Sequence, residues 1–129
     1  LSQAPVESTP VTNGFATLGL DPRLTDALVG YTDPTPIQRE GIPVLLTGRD
    51  MIGLAATGTG KTAAFGLPIL HLIAKIPHRK QPSALVLVPT RELAVQVATA
   101  LSRYGKPLNL RVVPVYGGAG FGDQARALN

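Results

Sequence analysis

Cysteine is absent from this 129-residue sequence, and so is tryptophan. Without thiols, a disulfide scaffold and a thiolate metal site are excluded, and a reducing compartment is allowed. Aromatic residues make up only 5% of the chain. Acidic residues are also scarce: eight Asp plus Glu stand against twelve Lys plus Arg, a formal net charge of +4. That balance suits a polyanionic partner without requiring one. No apolar run reaches the roughly 20 residues of a membrane span. The N-terminus shows no basic region followed by an apolar stretch, so no secretory signal is expected. What is present is globular: 44% of residues are hydrophobic. The length predicts one domain at most, large enough to bury about two-thirds of its unfolded surface.

The most informative segment is Ala55-Ala56-Thr57-Gly58-Thr59-Gly60-Lys61-Thr62. It follows the short apolar run Met51–Leu54 and opens a segment with helical spacing. Strand, glycine turn and helix N-terminus form the layout of a phosphate-binding loop. Gly58 and Gly60 let the backbone curl so that successive N–H groups point into one concavity. The helix start adds unsatisfied N–H groups and the positive end of its dipole. Lys61 can reach the β- and γ-phosphates, and the Thr62 hydroxyl can ligate Mg²⁺. A nucleoside triphosphate is the expected ligand. The general pattern has Gly where this chain has Ala55; a plain glycine turn capping a helix is the alternative.

Around the loop the chain alternates strand and helix signals. Residues 1–14 are polar and broken by Pro5 and Pro10, as in a disordered tail or linker. Asp21-Pro22 and Thr35-Pro36 are helix starts, with Gly30 and Gly48 as stops. Pro43 and Pro68 fall inside helical patterns and predict kinks. A helix is expected from about Lys61 to Ile76. Ser83–Val88 reads as a strand buried on both faces. Pro89 ends it, and Thr90 caps a helix to about Tyr104. Arg111–Tyr116 is a third strand, with Pro114 placing it at an edge or bulge. Gly117-Gly118 breaks it, and a last helix can begin near Asp123. This order predicts an α/β fold with parallel βαβ units. His71 reads as a packed or half-exposed side chain, and His78, beside Arg79 and Lys80, as part of a solvated surface with RNA contact as the alternative.

Three further segments line up with the loop. Gly30–Gln38, with Phe15 upstream, resembles the Q motif of DEAD-box RNA helicases. Ala55–Thr62 resembles that family's motif I, in which Ala opens the loop. Pro89–Ala94 resembles motif Ia, and Tyr116-Gly117-Gly118 with Gln124 resembles its glycine-doublet region. The resemblance runs from residue 15 to about 126. It implies a P-loop NTPase of RecA-like fold, a parallel sheet with flanking helices, with 15–129 forming the N-terminal part of the first RecA-like domain. It also implies ATP and Mg²⁺ as cofactors, RNA as partner and a second RecA-like domain in the intact protein. The style of the Gly30–Gln38 segment and the lack of cysteine suggest a bacterial cytoplasmic protein.

By that resemblance Phe15, Gln38, Ala56, Thr57, Gly58, Thr59, Gly60, Lys61 and Thr62 bind nucleotide. Lys61 and Thr62 serve the chemistry, and Thr62 holds the metal. A glutamine amide suits adenine, whose N6–H₂ and N7 pair with its acceptor and donor at once, and a mismatched base would leave polar groups unpaired. Thr90, Arg91, Gly117 and Gly118 are expected to touch the RNA backbone, which positions without reading sequence. Each carries a simpler alternative. Gln38 completes a capping box with Thr35. Phe15 anchors the next helix, Thr90 caps, Arg91 pairs with a carboxylate, and the two glycines make an ordinary turn. Tyr31 reads as packing, and Gln124 as a brace for the turn or an exposed residue. No Asp-Glu-Ala-Asp occurs in the sequence. That motif would supply Mg²⁺-binding and water-positioning carboxylates, so this chain alone is not expected to hydrolyse ATP at a helicase-like rate. The alternatives are a non-catalytic nucleotide- or RNA-binding module, or another P-loop ATPase. A chain whose strands lack neighbours is also expected to self-associate or fold poorly.

Overall fold

Helix starts dictate much of the local structure. In the computed structural model, which describes residues 14–28, 30, 33–77 and 80–129, Asp21 caps helix α1 (Pro22–Asp26) by accepting the Arg23 N–H at 2.9 Å. Pro36 opens α2 (Pro36–Leu46), where its missing N–H costs nothing. Gly60 precedes α3 (Lys61–Ala74), and the Thr90 hydroxyl caps α4 (Arg91–Gly105) by accepting the Leu93 N–H at 3.1 Å. A short α5 spans Phe121–Ala127. Helical turns of the tighter 3-10 kind lie at Gly14–Leu18 and Lys106–Leu108. The expectations for residues 1–13, Tyr31, Thr32 and His78 lie outside the described residues.

Helix α3 is the centre of the molecule. Its apolar positions recur at helical spacing, and Ala63, Ala64, Leu67, Pro68 and Leu70 are all buried. It packs on α2 along one side and on α4 along the other. Gly66 permits the second contact: a Cβ there would stand 2.3 Å from Leu101 Cδ2. Phe15, Leu20, Leu24, Leu28, Ile42, Val97, Leu101, Tyr104 and Leu108 complete the core. Pro43 and Pro68 sit inside α2 and α3, and neither ends its helix. Helix α1 stops at Asp26, earlier than its apolar spacing suggests, yet Leu28 still reaches the core.

The three runs read as strands differ from expectation. Residues 51–56, 82–88 and 110–116 are non-helical, and none forms a β-ladder among the described residues. Burial alternates along 85–88, as in extended chain. Val86 and Val88 pack against the core, whereas Leu85 and Leu87 are 83% and 84% exposed. Ser83–Val88 is therefore buried on one face, not two. Its inner side chains meet the helices; nothing among the described residues covers the outer ones. Ile52 and Leu54 are exposed in the same way.

His71 on α3 ties the N-terminal segment to this core. Its Nδ1 accepts the Asp21 N–H at 2.9 Å, which places the ring proton on Nε2. Burial, and then the charge of Lys75, hold its pKa below the ordinary histidine value; the Asp21 carboxylate opposes them. Asp21 is itself lowered to about 2, chiefly by hydrogen bonds from the Arg23 side chain and N–H.

Two outcomes are expected. Between its two pKa values the unfolded chain binds more protons at His71 than the folded chain does. Its stabilising contribution is therefore complete above about pH 6.5 and is lost as pH falls through the depressed folded value. Thermal unfolding followed at about pH 7.5 and pH 5.5 should show a smaller acid-induced drop for His71→Gln than for wild type. The exposed apolar row should also drive self-association. Sedimentation velocity should show larger species at rising concentration, reduced in a Leu85→Lys, Leu87→Lys double variant; a monomer at every concentration would contradict this.

Candidate functional site

The loop at 55–62 takes the shape its glycines permit. Gly58 and Gly60 lie at φ 81° and φ 79°, in the left-handed region that Cβ-bearing residues avoid. The Thr59 hydroxyl donates to the Ala56 carbonyl at 2.5 Å and closes the turn. The Gly60 carbonyl accepts the Ala64 N–H at 3.1 Å, the first bond of α3. With no side chain at Gly60, no hydroxyl or carboxylate caps the helix start. The two glycines differ in one respect. A Cβ at Gly58 would meet nothing within 4 Å, whereas one at Gly60 would lie 2.2 Å from Gln38 Nε2. Gly58 supplies conformation; Gly60 supplies conformation and space. Ala56, Thr57, Gly58 and Lys61 are exposed, and Thr59 and Thr62 are half-buried at the helix start. The open space beside Gly58, an uncapped helix N-terminus and an exposed Lys61 fit a phosphate chain.

Gln38 joins this loop to α2. Its Oε1 accepts the Thr35 N–H at 2.9 Å, and its Nε2 donates to the Gly60 carbonyl at 3.0 Å. The side chain is 6% exposed. A carboxamide has two N–H donors and two acceptor lone pairs, so one of each is used here and one of each is left. The local cap and the long-range contact therefore coexist on one amide. Arg39 Nε donates to the Pro34 carbonyl at 3.1 Å and holds the entry to α2. Thr35 is a residue that pattern reading undervalued. Its Oγ1 is buried without a hydrogen-bond partner, and its Cγ2 lies 3.4 Å from where a Gly60 Cβ would stand. The Thr-x-x-Gln spacing signals the cap; nothing in it signals a partner 22 positions away.

Phe15 is placed in the core, at 2% exposure. Its ring has no face open to solvent, so the contact present is the packing that anchors the N-terminal segment.

The second group of expected residues also converges. Arg91, at the start of α4, brings Nη1 to 3.1 Å from the position a Gly118 Cβ would occupy. Gly118 has φ 81° and so makes a turn specific to glycine. Arg91 makes no ion pair among the described residues, and its guanidinium is exposed. Thr90 caps α4, leaving its hydroxyl proton free of that bond. Gln124 braces the turn: the Tyr116 N–H donates to its Oε1 at 2.7 Å, and its Nε2 donates to the Tyr116 carbonyl at 3.0 Å. Thr90, Arg91, Gly117 and Gly118 are all exposed, and the approach of Arg91 to Gly118 brings their two segments together beside one positive charge. Among the described residues no group of three or more His, Asp or Glu side chains could hold a metal ion. No helix is long and apolar enough to cross a membrane.

Comparison with known proteins matches both halves of this arrangement. Residues 35–129 match the DEAD/DEAH box helicase family. The chain is 53% identical over 117 residues to ATP-dependent RNA helicase DeaD of Mycobacterium tuberculosis (strain CDC 1551 / Oshkosh), covering 88% of this chain and 20% of that protein. Among solved structures, the RNA helicase Prp28 from Chaetomium thermophilum bound to ADP is 47% identical, with a TM-score of 0.76 over 84% of this chain and 28% of that one. S. cerevisiae Dbp5 bound to RNA and ADP BeF3 is 37% identical, with a TM-score of 0.66 over 74% of this chain and 25% of that one. The chain spans about a fifth of the length of the curated relatives it matches. A match across residues 35–129, covering α2, the phosphate loop and the Arg91–Gly118 surface, means that the chain belongs to the DEAD/DEAH box helicase family.

Proposed function

We propose that this chain provides ATP binding and part of the RNA track in an ATP-dependent RNA helicase of the DEAD-box type. The observation that carries the proposal is the hydrogen bond from Gln38 to the Gly60 carbonyl, 3.0 Å long. It brings a carboxamide suited to adenine directly beside a glycine turn suited to phosphate. The names of the similar proteins support the same reading: an RNA helicase bound to ADP, and another bound to RNA and ADP BeF3.

In this reading residues 15–129 belong to a RecA-like domain. The runs at 51–56, 82–88 and 110–116 serve as strands of its parallel sheet. A second RecA-like domain completes the intact, cytoplasmic protein. Backbone N–H groups from Ala56 to Thr62 cradle the phosphates, and Lys61 neutralises their charge. Thr62 offers a hydroxyl to Mg²⁺, which takes few protein ligands beside phosphate and water. The unused donor and acceptor of Gln38 match the N7 and N6–H₂ of adenine. Phe15 supports that end of the site from within the core. Thr90, Arg91 and the Gly117-Gly118 turn hold RNA phosphates through N–H groups and one guanidinium. MgATP, when bound, supplies the phosphoryl group whose transfer drives the helicase cycle; this chain's residues bind and orient it.

Nucleotide titrations test the assignment. Wild type should prefer ATP to GTP, and Gln38→Ala should lose most of that preference; equal affinity of the wild type for both would remove the adenine role. Lys61→Ala should weaken ATP binding by about 10- to 100-fold, the loss of a charge-assisted contact. Gly60→Ala should weaken ATP binding and also lower the melting temperature. Its new Cβ adds left-handed strain of about 1–2 kcal/mol and displaces the Gln38 amide.

A further inference from the structure

We propose that Gln124 is a positioning residue for RNA binding: its carboxamide holds the Gly117-Gly118 turn in the shape that receives a phosphate. The inference rests on the RNA reading above. Both backbone polar groups of Tyr116 are taken by one side chain, the N–H at 2.7 Å and the carbonyl at 3.0 Å. Two residues of an antiparallel pair make the same double exchange. Here a side chain performs it, at the residue that leads into the turn.

Packing does little of this work. Helix α5, which carries Gln124, has no fully buried residue; Gln124, Ala125 and Ala127 are half-buried and its other residues are exposed. The groove between α5 and the preceding run is open and mostly apolar, lined by Val115, Ala119, Phe121 and Leu128. Phe121 is 85% exposed. Among the described residues no other hydrogen bond joins α5 to residues 110–118. The ion pair between Asp123 and Arg126 lies within the helix. The carboxamide therefore sets where Tyr116 ends and where the glycines begin. Arg91 depends on that placement, because its guanidinium lies against Gly118. A turn already ordered binds a phosphate without first losing conformational freedom. Releasing Tyr116 restores that freedom and lowers affinity without removing any cation.

The test uses the full 129-residue chain and a fluorescein-labelled ten-nucleotide oligouridylate. Gln124→Met keeps the length and apolar stem of the side chain and deletes both hydrogen bonds; Gln124→Ala is the second variant should the first fail to fold. Four measurements are made: RNA affinity, its dependence on salt, ATP affinity, and hydrogen exchange at the Tyr116 and Gly118 amides. RNA affinity should fall by about tenfold. The slope against salt should stay the same, since it counts cations. ATP affinity should be unchanged, and the two amides should exchange faster. A general structural defect would move ATP affinity as well, and would overturn the proposal. So would a variant that binds RNA as tightly as wild type, with the RNA reading itself left standing. Wild type that binds no oligouridylate would instead overturn the RNA reading, and the positioning role with it.

Discussion

One hydrogen bond organises the loop end of this molecule: Gln38 Nε2 to the Gly60 carbonyl. Gly60 is the last residue before α3, and its carbonyl also accepts the first bond of that helix. A single oxygen thus joins the start of α2, the loop and the start of α3. The geometry tolerates no side chain at Gly60, because the amide occupies the space a Cβ would need. Helix α3 then runs through the core between α2 and α4, so the position of Lys61 and Thr62 is set by the packing of Leu67 and Leu70 below them. A displacement at the Gln38 contact would therefore reach both the loop and the core.

The two ends of the candidate site use the same chemical device. A glutamine carboxamide resembles a peptide group, with a donor and an acceptor side by side. At Gln38 it bridges two separate backbone groups, the Thr35 N–H and the Gly60 carbonyl. At Gln124 it engages both groups of one residue, Tyr116. The surroundings differ. Gln38 is buried between the start of α2 and the start of α3, whereas Gln124 lies half-buried on a helix with no fully buried residue. The first end is held by packing and hydrogen bonding together; the second leans mainly on hydrogen bonding.

Much of this was legible in the chain itself. Asp21-Pro22, Thr35-Pro36 and Thr90 begin helices where local capping predicts, because a cap is an interaction between near neighbours. Gly58 and Gly60 adopt the left-handed backbone that only their missing Cβ makes easy. The apolar run at 83–88 reads as buried on both faces, yet only one is covered. A continuous apolar run carries no period that says which face is covered, and Leu85 and Leu87 prove to be the open ones. Phe15 shows the same limit: an isolated aromatic residue suits a core and a base equally well, and it lies in the core here.

Sequence by itself determined the parts whose physics is local: the glycine turns, the helix caps, the Lys61-Thr62 pair at a helix start, and the motif order that marks the family. Tertiary structure alone decided which parts meet. Gln38 finds Gly60 across 22 positions, Gln124 finds Tyr116 across eight, and Arg91 finds Gly118 across most of α4 and the run beyond it. Such contacts depend on how α2, α3 and α4 stack, and stacking is set by the summed burial of many side chains. No spacing rule for a single pair contains that sum.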